Sequence, residues 1–258
     1  MIAKWEDLKR DELNALDREK TIVLLPLSAT EQHGPHLPVG TDALILRALV
    51  DKIVKEGEFP QGNLVFAPQM NVGKSNCHMG FGATLTFSAK TYCDVIFELA
   101  RSVAAHGFRK LVLLNSHGGN TDACNLMNRD IRVELGLQTF VFDWWFTDFW
   151  RDGLKGLQQS GRYGVFHACE LETSLMLACR PDLVDMSKAV DEDPKPCFQG
   201  KYVNVFGPVN PGWATKDVTT SGVIGAPTFA TAEKGARLFE YAKTKLLDVF
   251  AEIASISY

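Results

Sequence analysis

Four apolar runs of strand length punctuate the chain: TIVLLPL at 21–27, NLVFAPQM at 63–70, KLVLLN at 110–115 and QTFVFDWW at 138–145. They show little polar alternation, which is the pattern of strands covered on both faces in a parallel sheet. Between and after them the apolar positions recur with helical period. One such stretch covers 42–57 and closes at Gly57. A second opens at Ser88, a capping residue, and ends at Gly107. A third runs to Gly136, a fourth over 170–180 is stopped by Pro181, and a last one covers 231–254. A Gly-rich loop at 71–82 leads into a short strand-like ATLTF at 83–87. Residues 190–222 hold four of the eleven prolines and little periodicity, so they read as irregular chain. Strand alternating with helix predicts an α/β fold, a parallel sheet with helices on both faces. No repeat or composition shift divides residues 1–258.

The first run feeds TEQHGPHLPVGTD at 30–42. This segment packs Glu31, His33, His36 and Asp42 among two prolines and two glycines, and it cannot be helical. In open α/β sheets the loops at the carboxyl ends of the strands build the site. Glu31 and His33 follow the first strand, His78 lies in the loop after the second, and His117 comes two residues past the third. Residues two apart in extended chain share a face, so Glu31 and His33 can point to one side. Asp42, opening the next helix, can point back at them. Mixed carboxylates and imidazoles suit Zn, Mn or Fe. Two ions about 3.5–4 Å apart share a bridging carboxylate. Asp42 is the candidate bridge, with Glu31 and His117 on one ion and His33 on the other. The second ion still needs a carboxylate, for which Glu172 is the first candidate and Glu170 the second.

Each residue also has an ordinary reading. Asp42 can cap its helix, Glu170 and Glu172 can be first-turn acids favoured by the helix dipole, and SHGGN can be a tight turn. Those readings predict no clustering at strand ends, which is what the sequence shows.

Charge and composition narrow the field. The formal net charge is −4 with no run of Lys or Arg, which argues against nucleic acid and anionic membrane surfaces. No apolar run approaches the ~20 residues of a membrane helix. The polar N-terminus lacks a signal core, so a cytoplasmic protein with reduced cysteines is expected. There is no G-x-S-x-G elbow for a serine hydrolase. Neither G-x-G-x-x-G nor a P-loop supports a nucleotide-binding module, although SHGGN before a helix keeps that alternative in view. A thiol hydrolase would have to use Cys77 or Cys169.

EQHGPHLPVGTD, followed in order by NSHGGN and HACELETS, resembles the creatininase (creatinine amidohydrolase) family. The match runs from about residue 20 to 180, with a weaker echo in SGVIGAP and the closing helix. The resemblance implies one creatininase-like domain over 1–258, with a three-layer α/β/α fold around a central, mostly parallel sheet. It further implies two divalent ions, Zn first with Mn or Fe as alternatives, hydrolysis of a cyclic amide or formamide in a small-molecule substrate, and homo-oligomers, commonly hexamers. Glu31, His33 and Asp42 match the family's first metal motif, and His117 matches the His of the third loop. Family members that open creatinine carry a ligand Glu two residues after that His; here the position is Gly119. Glu172, or failing that Glu170, then supplies the missing carboxylate and shuttles the proton. This departure, with the absence of an aromatic lid before Glu172, points to a substrate other than creatinine. Ser75, His78 and the amides of Gly118 and Gly119 are expected to contact it, and Trp144, Trp145 and Trp150 are candidates to line the pocket. The alternative is a non-catalytic small-molecule or nucleotide-binding relative.

Overall fold

The computed structural model describes the chain except residues 145–146, 162–163 and 206–207, and except the side chains of 147 and 148. Five strands form one sheet: β1 (Ile2–Lys4), β2 (Thr21–Leu27), β3 (Asn63–Phe66), β4 (Lys110–Asn115) and β5 (Gln138–Asp143). Their order is β1-β3-β2-β4-β5 and every pairing is parallel. The three long helices between strands are α2 (Thr41–Glu56), α3 (Ala89–Ala105) and α4 (Thr121–Leu135), with a short α1 (Arg10–Asn14) ahead of β2. Beyond the sheet come α5 (Thr147–Leu154), α6 (Glu170–Cys179), α7 (Thr215–Val218) and α8 (Ala232–Ser255).

The alternation of side chains along each strand divides the core into two layers. Ile22, Leu24, Leu64, Phe66, Val112 and Leu114 pack with α2, α6 and α8. Val23, Leu25, Leu27, Leu111 and Leu113 face the other way, onto α3 and α4. The result is a three-layer α/β/α arrangement. Each Leu or Ile buried this way contributes about 1.5–3 kcal/mol, which explains why the central strands read as unbroken apolar runs. α8 lies close on α6: a Cβ at Gly235 would sit 1.9 Å from the Ser174 carbonyl oxygen.

The topology sets the site. β3 lies on one side of β2, and the chain then crosses to place β4 on the other side. Loops leaving β2 and β4 therefore separate at the carboxyl edge of the sheet, the position where open α/β sheets bind ligands.

Some expected elements differ. The second strand stops at Phe66 rather than residue 70, because Pro68 has no N–H to donate; Met70 makes only an isolated bridge to Leu27. Residues 83–87 make two isolated bridges, Thr30 to Leu85 and Gly73 to Thr86, and join no sheet. β1, α1, α5 and α7 are elements beyond those the sequence pattern predicts. The fourth strand ends at Asp143, and Trp145 lies outside the described residues.

Candidate metal centre and its pocket

Four segments meet at the carboxyl edge. The loop after β2 is pinned by Glu31 N–H donating to the Val39 carbonyl at 2.8 Å. This folds 31–39 back on itself and brings Glu31 and His33 over the start of α2. Asp42 does not cap α2; Gly40 holds that position, and Asp42 turns its carboxylate toward the histidines. His117 opens the turn after β4. Glu172 stands in the first turn of α6, where it also accepts from Cys169 N–H at 3.3 Å.

The side chains converge. His33 Nε2 lies 3.4 Å from Asp42 Oδ1 and 3.6 Å from Glu172 Oε1. His117 lies 3.2 Å from Asp42 Oδ2 through Nδ1 and 3.3 Å from Glu31 Oε2 through Nε2. Two triads suited to a cation result, Glu31–Asp42–His117 and His33–Asp42–Glu172, with Asp42 common to both. A third triad, Glu31–His33–His167, brings in a residue that the sequence pattern does not single out, although it opens the HACELETS motif. All six side chains are buried.

Chemistry and satisfaction both fit a divalent ion. Glu31 Oε2, His33 Nε2 and Asp42 Oδ2 are buried without a hydrogen-bond partner, although each lies within ion-pair reach of a neighbour. Leaving such atoms unsatisfied costs about 1–3 kcal/mol apiece, and a shared cation would satisfy all three. His33 Nδ1–H donates to the Glu31 carbonyl at 3.0 Å, which leaves the Nε2 lone pair for a metal.

The titration behaviour agrees. Burial pushes Glu31 up, and the Asp42 carboxylate adds to this, to about 7. Burial also resists charge on Asp42, but His33 and His117 outweigh it and hold its pKa below the usual carboxylate range. Burial works against protonation of His117, yet Glu31 and Asp42 hold its pKa up at about 9. His33 is raised in the same way by Asp42 and Glu172, against burial. Protons on His33 and His117 thus balance the buried carboxylates, and those are the protons a bound cation would displace.

The supports behind the ligands are polar and mutually bonded. Asn115 donates to the His117 carbonyl at 2.8 Å and to Asp143 Oδ2 at 3.1 Å. Asn120 donates to Asn115 Oδ1 at 3.1 Å and accepts from Lys74 N–H at 2.8 Å. A cavity of about 450 Å³ opens over the cluster, within the size range of small-molecule sites. Glu31, Asp42, His78, His117, His167 and Glu172 form one wall. Val165, Phe166, Val205, Trp213 and Ile224 form an apolar wall, and Gly118, Gly119 and Asp143 also line the cavity.

Several expected placements are corrected. Glu170 is not in the cluster; its carboxylate accepts from the amides of Gln159 and Ser160 and pairs with Lys234 at 2.5 Å. Ser75 lies behind the ligands rather than in the pocket, its Oγ 3.1 Å from His117 Nε2. Trp144 and Trp150 pack edge to face in the core, centroids 5.5 Å apart. Among the described residues, the tryptophan that lines the pocket is Trp213, in the stretch with least pattern. Cys77 lines the pocket, but burial pushes its thiol up to about 11, and Cys169 is raised by burial as well. Neither is a ready thiolate nucleophile. At Gly119 a Cβ would lie 2.3 Å from the Lys74 carbonyl oxygen and 2.5 Å from His117 Nε2, so this loop has no room for a side chain there.

Residues 6–250 match the family model described as creatinine amidohydrolase (creatininase). The chain is 30% identical to a creatinine amidohydrolase of Pseudomonas putida, over 90% of its own length and 89% of that protein's. It is 32% identical to a mycofactocin precursor peptide peptidase of Mycobacterium ulcerans, over 84% and 79% of the two chains. A mutant creatininase of Zn–Zn type superposes with a TM-score of 0.77 at 27% identity, covering 98% of each chain. A manganese form of creatininase gives 0.74 at 26%, covering 98% of this chain and 99% of that one.

Proposed function

The chain belongs to the creatininase family, and on that premise we propose that it is a metal-dependent amidohydrolase cleaving a non-peptide C–N bond in a small amide, with two divalent ions per chain, Zn first and Mn or Fe as alternatives. One observation carries the reading: three carboxylates and two histidines, all buried, converge with orphaned atoms on two triads that share Asp42. Glu31, Asp42 and His117 would hold one ion, and His33, Asp42 and Glu172 the other. Bound there, the ions supply Lewis acidity, polarising a carbonyl and lowering the pKa of water.

The chain's own residues do the rest. The apolar wall of Phe166, Val205 and Trp213 excludes water from the reacting face and seats the substrate's carbon skeleton. His78, Gly118 and Gly119 line the cavity, and the imidazole and the two glycine amides would orient the carbonyl group. Glu172, in the lining of the pocket, and His167 Nδ1, 3.7 Å from Glu31 Oε1, are placed to carry a proton toward the leaving nitrogen. The crowding at Gly119 supports a substrate other than creatinine, since the ligand Glu expected of creatinine-opening relatives does not fit there.

The similarity to a peptide peptidase, as strong as that to the creatinine amidohydrolase, favours a second reading in which the bond belongs to a short peptide. A cytoplasmic homo-oligomer, hexameric by family analogy, with one domain over 1–258, completes the proposal. The test is a panel of lactams, cyclic ureas, N-formyl compounds and short peptides, run with Zn²⁺ and Mn²⁺, on the wild-type chain and on His33→Ala. Metal-dependent turnover lost in the variant supports the reading, and the class turned over decides between the two bonds. Turnover retained in full by His33→Ala, or by chelator-treated protein, contradicts it. No turnover anywhere would favour a non-catalytic binding relative.

A further inference from the structure

Gln32 lies between the two candidate ligands Glu31 and His33 in sequence, but its side chain turns away from them into a buried junction of four segments. Its Oε1 accepts from Gly34 N–H at 3.0 Å, and its Nε2 donates to the Gly222 carbonyl at 3.1 Å. A backbone N–H can only donate and a carbonyl can only accept, so the amide is oriented without ambiguity. Gly222 makes the space: with φ at +85°, a Cβ there would stand 2.1 Å from Gln32 Oε1.

The oriented amide touches both pocket histidines. Its Nε2 lies 2.9 Å from His78 Nδ1 and 3.0 Å from His167 Nε2. The carbonyl of Gln32 itself is 2.8 Å from His167 Nε2. That carbonyl, the shorter of the two contacts, requires a proton on His167 Nε2, so the 3.0 Å approach of Gln32 Nε2 to that atom is not a hydrogen bond and the second amide hydrogen of Gln32 has only His78 Nδ1 left to serve. His78 Nδ1 is then an acceptor, and its proton is on Nε2. The Thr215 hydroxyl, 3.1 Å from His78 Nδ1, can donate as well but can equally accept, so it fixes nothing alone.

We propose that Gln32 is a positioning residue that holds His78 and His167 in the same Nε2–H tautomer while they meet the pocket by opposite ends, His78 as an N–H donor and His167 as an Nδ1 lone pair. The rings lie with centroids 4.4 Å apart, so donor and acceptor stand side by side over Glu31, at 3.4 Å and 3.7 Å from its Oε1. Of the two, only His167 can accept a cation or a proton from the pocket. His78 cannot ligate through Nε2; it donates to a carbonyl oxygen as negative charge develops there. That catalytic use rests on the hydrolase reading, whereas the tautomers do not.

The test is two-bond ¹⁵N–¹H correlation of the imidazoles in the full-length, ¹⁵N-histidine-labelled chain, treated with chelator and then reloaded with Zn²⁺, with signals assigned through His78→Asn and His167→Asn. Wild type is expected to show Nε2–H on both rings before Zn²⁺, and His78 unchanged after it. Gln32→Glu puts an acceptor where the donor was, so His78 is expected to take a proton on Nδ1 while His167, held by a backbone carbonyl, keeps its pattern. Should that variant not fold, Gln32→Met removes the donor, and His78 is expected to become a mixture of tautomers. Nε2-unprotonated His78 in wild type, or a His78 pattern indifferent to both substitutions, overturns the proposal. A failed substrate panel leaves the tautomer result standing, and a failed tautomer result leaves the panel standing, so the two are told apart.

Discussion

The two walls of the pocket are built by different means. The candidate ligands Glu31, His33, Asp42, His117 and Glu172 are drawn from segments set by regular structure, after β2 and β4 and in the first turns of α2 and α6, and His78 and His167 join them from the chain between elements. The five ligand side chains are buried, charged and mutually dependent. The apolar wall comes from Val165, Phe166, Val205 and Trp213, all outside named helices and strands. The difference separates two jobs. The rigid wall defines which chemistry is available, and the irregular wall defines which molecule meets it.

Breaking the rigid wall should have the largest effect. Asp42 is common to both triads, so Asp42→Asn is expected to lower kcat/KM by more than the roughly 10–100-fold that outer-shell losses cost. Bound metal should fall with it while circular dichroism stays unchanged. Full activity in the folded variant would remove Asp42 from its bridging place.

The same wall should make the metal-free chain sensitive to alkali. His117 has a folded pKa of about 9 against an ordinary value of 6.5. Its contribution to stability is present in full below the unfolded value and is lost as pH rises through about 9. Glu31, raised to about 7, acts in the same direction from its ordinary 4.5 upward. Asp42, depressed, is ionised in both states across that range and acts only in acid. Below about pH 6.5 the His117 and Glu31 contributions are opposed by His36, His78 and His167, which burial keeps neutral in the fold. Denaturant titration of chelator-treated protein should therefore show stability falling between about pH 7 and pH 9. Zn²⁺ should offset the fall, because metal takes the places that protons vacate. Stability that rises over that range in the metal-free chain would contradict the assignment.

The irregular wall should respond in kind rather than in degree. Trp213→Ala removes a large part of the apolar surface and is expected to raise KM about tenfold, with kcat and metal content little changed. Glu170→Gln sharpens the boundary of the site, since Glu170 serves Lys234 and two loop amides. It should cost about 1–3 kcal/mol in thermal or denaturant unfolding and leave metal content alone. The smallest effect belongs to Cys77→Ala, expected to keep activity within about twofold, since its thiol is held protonated.

The sequence revealed the two walls unequally, for physical reasons. β2 and β4 were legible because a strand covered on both faces must be apolar throughout, and Ser88 was legible as a cap because its hydroxyl does accept from Thr91 N–H. β1 was not, since three half-buried residues carry no period. Glu31, His33, Asp42 and His117 were legible because strand ends place them, and the cluster brings them together as expected. Glu170 and Glu172 could not be separated: residues two apart on a helix point about 200° from each other, and nothing in the sequence says which side faces the cavity. His167 had a signal, its place at the head of HACELETS, but a lone histidine before a helix carries no geometry. Trp213 and Gln32 had none, because their roles come from contacts far away in the chain, Gln32 with Gly222 and His167 among them.

The most direct test of the proposed dinuclear centre is the metal content of protein purified without chelator or histidine tag, measured by elemental analysis against protein concentration. Close to two transition-metal ions per chain is the expected result. One ion, or none after incubation with Zn²⁺ or Mn²⁺, would contradict two ions sharing Asp42.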